Sequence, residues 1–353
     1  MLNNPPGQPN SITVFARGSD GALNLQGSTP IGGIGGLAPF ADGTQGSLIL
    51  APDGQRLFAV SAGSNQISVV DVHEGQLTPV SLSGSAGAGP VSLTYGGGLL
   101  YVLNAANGSD SPANVAGFSV DGSGALHPLA NSIRPLSTAH PNPAQVLLDP
   151  QHRTLIVTEK STNLIDVYQV GRDGSLTGPT IVRSVGVYPF GMAFAQVGAQ
   201  SELIVNDGVG GPNGTGGVTA YSLPDGLMPL QGPLFDHQIA PCWVVVTDDG
   251  RFAYASNADS RSISGFRIRT DGSIGLLNAD GITATTPGDT FPLEETLSRN
   301  SQFLYVLDSR LLLAKPGPAT LSGFRIQADG QLSPVVDSAS ITLSFSAIGL
   351  AAD

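Results

Sequence analysis

The residues Asn142-Pro143-Ala144-Gln145-Val146-Leu147-Leu148-Asp149-Pro150, then Thr154-Leu155-Ile156-Val157-Thr158, then Asn163-Leu164-Ile165-Asp166-Val167-Tyr168-Gln169-Val170, then Asp173-Gly174-Ser175-Leu176 set out the pattern that the chain repeats. Four short apolar or alternating runs are separated by turn residues, which is how four antiparallel strands read. A sheet of this kind cannot bury both faces alone, so it requires neighbours.

The neighbours are present in the sequence. The turn pair between the third and fourth runs recurs as Asp20-Gly21, Glu74-Gly75, Asp121-Gly122, Asp173-Gly174, Asp225-Gly226, Asp271-Gly272 and Asp329-Gly330, at spacings of 46 to 58 residues. Acidic-Gly pairs favour the positive φ angles of tight hairpins. Seven such turns predict seven units, and a four-stranded repeat of this length is the mark of a propeller blade. The expected fold is all-β, a single seven-bladed β-propeller over residues 1–353, with six blades at about 45–81, 89–130, 142–180, 188–231, 240–278 and 291–336.

The two ends supply the remaining blade. Leu2-Asn3, Ser11-Ile12-Thr13-Val14-Phe15 and Ala22-Leu23-Asn24-Leu25 match the second, third and fourth strands of a blade, and Ala347-Ile348-Gly349-Leu350-Ala351-Ala352-Asp353 matches the first. Residues 1–28 with 344–353 are therefore expected to complete one blade, removing the sheet edges and closing the ring. Met1 lies so close to the second strand that a trimmed or mature terminus is expected, which favours a once-exported protein, extracellular or periplasmic, over a cytoplasmic one.

Composition narrows the partners. Charged residues make up 12% of the chain, and Gly 47 and Pro 26 suit many turns and few exposed helices. A net charge of −12 with Lys160 and Lys315 as the lysines argues against nucleic acid or an anionic membrane. The single Cys242 excludes an intrachain disulfide and a cysteine-only zinc site. No apolar run approaches the roughly 20 residues of a membrane span, and no signal peptide is visible. The expected partner is a small molecule, and the expected state is a monomer.

The phrases Pro52-Asp53-Gly54-Gln55-Arg56-Leu57-Phe58-Ala59-Val60 and Leu100-Tyr101-Val102-Leu103-Asn104 resemble the seven-bladed lactonase-type propellers, a group that includes bacterial 6-phosphogluconolactonase and fungal carboxymuconate cycloisomerase. The resemblance covers essentially the whole chain and implies a propeller with a lactonase-like activity. First strands that open Pro-His-x-Val, Pro-Arg-His and Pro-Arg-Asp in phosphogluconolactonase-type members are here Pro143-Ala144-Gln145-Val146, Pro241-Cys242-Trp243 and Pro292-Leu293-Glu294. The side chains that would hold a phosphate are replaced, so a phosphosugar is not the expected substrate. Carboxymuconate chemistry, which needs cations for its carboxylates, fits poorly for the same reason. Thr158-Glu159-Lys160-Ser161-Thr162-Asn163 and Cys242-Trp243-Val244-Val245-Val246-Thr247 are similar to uncharacterised, often exported members.

The expected site lies on the rim that carries the second-to-third loops and the connections between blades, with insertions at 31–46, 104–114, 131–142, 207–217, 278–290 and 308–320. Glu294 and Glu295 open an inner strand, where period 2 sends one towards the central channel and the other into the blade. Glu294, Glu159 and His140 are the candidate acids and bases. Gln145, Lys160, Phe190, Trp243, Phe291 and Arg310 are the candidate substrate contacts, the aromatics as an apolar lining. No cofactor is required. If a metal is held, Glu159, Asn206, Glu294 and Asp308 are the oxygen ligands for calcium or magnesium, because no two histidines show zinc spacing. The competing readings are carboxylates paired with backbone N–H groups or neighbouring blades, and aromatics packed between blades. Leu311-Leu312-Leu313-Ala314 reads as a lid or protein contact, and Asn107-Gly108-Ser109 and Asn213-Gly214-Thr215 fit the glycosylation sequon.

A hydrolase acting on a small, uncharged, partly apolar lactone at the channel mouth is the first functional expectation. A non-catalytic ligand- or protein-binding propeller, or an isomerase or cyclase on the same scaffold, is the alternative.

Overall fold

The computed structural model describes residues 1–36, 45–106, 111–209, 211–223, 226–286, 288, 290–309, 317–335 and 343–353. Among them, helix is confined to the 3-10 turn Pro212–Gly214. The chain forms two compact units, Met1–Ala16 with Asn24–Val182 and Ser346–Ala351, and Arg17–Leu23 with Arg183–Phe345 and Ala352–Asp353.

The first unit holds three antiparallel sheets whose strands pair in sequence order. One runs Leu48–Leu50, Arg56–Ser61, Gln66–His73 and Gln76–Gly84. The next runs Pro90–Gly96, Leu99–Asn104, Asn114–Val120 and Leu126–Pro128, with Arg134–Pro135 also on the third strand. The third runs Pro143–Leu148, Thr154–Glu159, Leu164–Val170 and Leu176–Arg183. Adjacent first strands are tied by side chains, since Ser92 Oγ and Thr94 Oγ1 accept hydrogen bonds from the Val146 and Leu148 N–H groups at 3.1 and 3.0 Å.

The termini meet in this unit. Leu2 N–H donates to Ile348 O at 3.1 Å and Ile348 N–H returns to Leu2 O at 3.0 Å, while Thr13 N–H donates to Met1 O at 2.9 Å. Leu2, Ile12 and Ile31 share one apolar cluster with Leu48, Phe58 and Leu93. The strands Pro9–Arg17 and Leu23–Ile34 pair as a hairpin.

The second unit repeats the plan. Its sheets run Val187–Val197, Gln200–Val209, Gly217–Ser222 and Met228–Phe235; then Pro241–Val246, Phe252–Asn257, Ser262–Ile268 and Ile274–Leu276, with Ala284–Thr285 on the third strand; then Phe291–Leu297, Phe303–Ser309, Thr320–Ile326 and Leu332–Pro334. Tyr254 OH donates to Gly330 O and Tyr305 OH to Gly21 O, both at 2.8 Å, so a second-strand tyrosine clasps the turn of another hairpin. Tyr101 OH does the same to Gly174 O at 2.9 Å in the first unit. Each is a buried hydroxyl with a partner, which burial requires.

Three local expectations need correction. The insertion at 31–46 begins inside a strand that runs to Ile34, and those at 131–142 and 278–290 contain Arg134–Pro135 and Ala284–Thr285, because an exposed third-strand edge leaves backbone groups for them to pair. The Glu74-Gly75 turn is a two-residue hairpin with both residues at positive φ, 48° and 76°, as the pair predicts, but the Asp173 and Asp121 turns are built differently. In the Asp173 turn, Gly171 N–H donates to Ser175 O and Gly174 N–H to Gly171 O, with Gly174 at φ 77° and the Asp173 carboxylate accepting from Ser175 N–H. This is a three-residue loop ending on a left-handed glycine. At Asp121 the same loop is displaced by two residues, so Gly124, at φ 83°, takes the role expected of Gly122.

The first strands share a further feature. Five carry a proline within their first three residues and slip register just after it, at Pro90/Ser92, Pro143/Gln145, Pro189/Met192, Pro241/Trp243 and Pro292/Glu294. Proline has no N–H for the ladder, and the resulting bulge re-aims the side chain that follows.

Gly330 sits at φ 92° with a Cβ position 2.5 Å from the Phe252 ring, whereas a Cβ on Gly122 would meet open space. Gly330→Ala should therefore lower stability by about 1 kcal/mol or more, and Gly122→Ala should be nearly neutral. Thermal denaturation of the two variants checks the contrast.

Candidate functional site

Where a second strand ends, it ends on a buried polar residue: Ser61, Asn104, Glu159, Asn257 and, one position before the last, Asp308. Asp207 holds the same place, opposite Gly217 as Asp308 is opposite Thr320. The third strand answers diagonally. Thr219 Oγ1 donates to Asp207 Oδ2, Ser322 Oγ to Asp308 Oδ2, and Asn257 Nδ2 to Ser264 Oγ at 2.8 Å. A single hydroxyl does not compensate a carboxylate for lost water. Burial raises both Asp207 and Asp308 to about 7, with the hydroxyls pulling the other way. Asp236, beside Ser264 and the Gln238 N–H, is raised by burial to about 6.

In the first unit this position carries two acids. Glu159 faces Leu164 in register, and the diagonal residue Asp166, where the Gly217 and Thr320 sheets place Thr219 and Ser322, is a second carboxyl. The Ser137 N–H donates to Glu159 Oε1 at 2.9 Å and to Asp166 Oδ2 at 3.0 Å. Ser137 Oγ and Thr162 Oγ1 both donate to Glu159 Oε2. Tyr168 OH donates to Pro135 O at 2.8 Å and lies 3.4 Å from Asp166 Oδ2. Burial, then the charge of Glu159, raises Asp166 to about 8. Asp166 thus keeps its proton at neutral pH, as a carboxyl beside a second carboxyl in a dry site does. Lys160 N–H and Ser161 N–H bond Asn142 O and Pro141 O, which pins the segment carrying Ser137 and His140 to the end of this strand.

In the second unit, Trp243 packs against Phe190 with ring centroids 5.3 Å apart, and its backbone carbonyl accepts Asn206 Nδ2 at 2.7 Å. Trp243 pairs with Ser256 and Glu294 with Leu307, so Trp243 and Glu294 occupy one register position in successive sheets, each just past its bulge. Glu294 and Glu295 are both buried, at 3% and 4% exposure. Burial, then the neighbouring Glu294 charge, pushes Glu295 well above the ordinary carboxylate range. Both lie in a first strand whose side chains are buried on either face.

Of the residues singled out from the sequence, the structure brings together Phe190, Trp243 and Asn206. Phe291 is half-buried under the Arg261 guanidinium, 5.7 Å from its ring centre, and is not part of that pair. Glu159, Lys160, Gln145 and Asp308 are buried, and His140 is exposed. No three His, Cys, Asp or Glu side chains converge as a metal-binding group among the described residues. Arg310, Leu311-Leu312-Leu313-Ala314 and Asn107-Gly108-Ser109 lie outside the described residues. Asn213 is exposed in the 3-10 turn. Sequence reasoning missed Asp166, Asp207 and Asp236. The first two sit in strands next to an apolar run, and the signal was their recurrence at one place in the repeat.

Sheets of four or five antiparallel strands repeated in this way define an all-β propeller. Residues 9–200 match the family described as Lactonase, 7-bladed beta-propeller, and the chain belongs to that family. No curated protein matches the chain. Among solved structures, the periplasmic gluconolactonase PpgL of Pseudomonas aeruginosa is 18% identical, with a TM-score of 0.69 over 97% of this chain and 96% of that one. A candidate 6-phosphogluconolactonase of Bacteroides fragilis is 18% identical, with a TM-score of 0.66 over 95% of this chain and 96% of that one. A second candidate 6-phosphogluconolactonase, from Bacteroides uniformis, is 16% identical, with a TM-score of 0.70 over 94% and 93% of the two chains. At these identities the likeness is one of fold.

The raised Asp166 has a stability consequence. Folded, it keeps its proton to about pH 8, whereas its ordinary value is 3.8, so between these values the unfolded chain binds fewer protons. Its contribution is therefore full below about pH 4 and is lost as pH rises towards 8. Asp166→Asn, which resembles the protonated form, should weaken this part of the pH dependence and raise Tm at pH 9 on the order of 2–4 °C. Thermal melts from pH 4 to 9 test it.

Proposed function

We propose that the protein is a lactonase-like hydrolase for a small, uncharged, partly apolar lactone, with Glu294 as the general base. The observation that carries this reading is the placement of Glu294 and Trp243 at the same register position of successive first strands, each re-aimed by its bulge. In the family this protein belongs to, such strand heads here carry Gln145, Trp243 and Glu294 and no Arg or His, which favours an uncharged ring over a phosphorylated or dicarboxylate one. The Phe190–Trp243 pair offers the apolar surface.

In the reaction, Glu294 takes a proton from water as the water oxygen bonds to the lactone carbonyl carbon. The ring C–O bond then breaks and the departing oxygen takes a proton, giving the hydroxy acid. No cofactor is required. Should a calcium or magnesium ion take part, Glu294, Asn206 and Asp308 in the second unit, or Glu159 in the first, are its oxygen donors. Glu159 has both oxygens bonded to Ser137 and Thr162, which favours a structural role for it over that of a base.

The same proposal extends to architecture and setting. The hairpin Pro9–Arg17/Leu23–Ile34, with Leu2 and Ile348 bonded beside it, supplies a seventh blade built from both ends. Support comes from the Gly21 turn of that hairpin, which is clasped by Tyr305 as Gly330 is by Tyr254. We place the protein outside the cytoplasm, as the name of the periplasmic Pseudomonas relative suggests, acting as a monomer on a small molecule.

A pH-stat assay over uncharged aliphatic, aromatic and sugar lactones, with and without chelator, tests the activity. Turnover reduced by about 100-fold or more in Glu294→Gln is expected of a general base. Turnover unchanged in that variant would move the base elsewhere, and no turnover on any lactone would sink the hydrolase reading. Chelator sensitivity decides the metal.

A further inference from the structure

The residue before the first-strand proline is left-handed in four sheets: Gly89 at φ 63°, Asn142 at 53°, Tyr188 at 63° and Ala240 at 58°. Glycine and asparagine adopt this conformation readily, whereas a bulky side chain there is an outlier that costs backbone energy. Three sheets close the same bulge without a ring, so the fold does not require one at residue 188. Backbone outliers that persist in this way gather at ligand sites.

The surroundings of Tyr188 suit an apolar ligand. Tyr188 is half-buried, and a Cβ built on Gly208 would lie 3.0 Å from its Cδ1, so the ring rests on bare backbone. Its ring centroid is 6.4 Å from that of Phe190, which in turn packs on Trp243 at 5.3 Å. Beside it in the chain, Val187 pairs in register with Val209, and the two are 43% and 41% exposed. Apolar surface therefore passes from solvent at the two valines, through Tyr188, to the buried Phe190 and Trp243. Val187–Val197 packs against Pro241–Val246, and neither strand carries a charged side chain. Pro241–Val246 packs in turn against Phe291–Leu297, the strand of Glu294.

We propose that Tyr188 is a substrate-binding residue whose ring receives an aromatic or aliphatic substituent of the substrate, with Val187 and Val209 extending the contact. The inference rests on the lactonase reading for the ring that is opened, and it narrows that reading to lactones bearing an apolar substituent. A ring contact of this kind responds to the area and shape of the substituent and adds nothing for an unsubstituted lactone. It is made equally before and during the reaction, so its loss raises KM and leaves kcat unchanged.

Calorimetric binding of a five-membered lactam carrying a phenyl group, an unreactive stand-in for the lactone, tests the contact in wild type, Tyr188→Phe and Tyr188→Asn. Kinetics on phenyl-substituted and unsubstituted lactones accompany it. Tyr188→Asn, which matches Asn142 in conformation, should bind the lactam about 10-fold more weakly, with Tm within about 2 °C of wild type. Tyr188→Phe, which keeps the ring, should bind as wild type does. The asparagine variant should also raise KM about 10-fold for the phenyl-substituted lactone alone, at unchanged kcat. Four results overturn the proposal: no lactam binding by wild type, equal binding by the asparagine variant, a KM raised equally for both lactones, or an asparagine variant that is unfolded or melts more than about 5 °C lower. Lactam binding that weakens in Tyr188→Asn while no lactone is hydrolysed upholds the contact and sinks only the hydrolase reading.

Discussion

A first strand in this protein is covered on both faces, and the rest of the structure follows from that. Alternate side chains normally leave one face of an antiparallel sheet in water. Here both sets meet other protein, so Leu93 and Val146 enter apolar clusters while Ser92, between them in kind, must bond the Val146 N–H. A polar group that enters such a layer has to find a partner, lose its charge, or hold water. The buried acids of this chain show the first two outcomes together.

Those acids stand at one place in the repeat, the end of the second strand, where Glu159, Asp207 and Asp308 meet Asp166, Thr219 and Ser322 from the third. The arrangement ties two strands to a connection, as Ser137 does for Glu159 and Asp166. It also stores protons inside a chain whose net charge is −12. The exposed acids behave in the opposite way: Asp121, bonded to His127, Ser123 and backbone N–H groups, is held below the ordinary range. One residue type thus performs two tasks, separated by burial alone.

The fold was largely legible because its signals are local. Period-2 runs and acidic-Gly turns mark the strands of each sheet, and a misassigned glycine such as Gly122 moves the turn by two residues without altering the blade. The partial strands at 134–135 and 284–285 were hidden because they pair through backbone edges, which leave no mark in side-chain type. The site was less legible. In Ile165-Asp166-Val167-Tyr168 the aspartate reads as an ordinary solvent-facing polar residue, and only burial beside the opposing Glu159 raises its pKa. Glu294 and Glu295 look equivalent in sequence. They separate only once the bulge at Pro292 fixes the register and sets Glu295 opposite Val306. Family resemblance identified the scaffold, but the strand heads at which that resemblance implies Arg and His carry neither here.

The central claim is that carboxyls inside these layers are neutral in the folded protein at a pH where free carboxyls are charged. A potentiometric difference titration of folded against denatured protein between pH 4 and 9 measures this directly. The account predicts that near pH 6 the folded chain retains protons, on Asp166, Asp207, Asp308 and Glu295, that the denatured chain has released. Equal proton binding by the two states at that pH would contradict it.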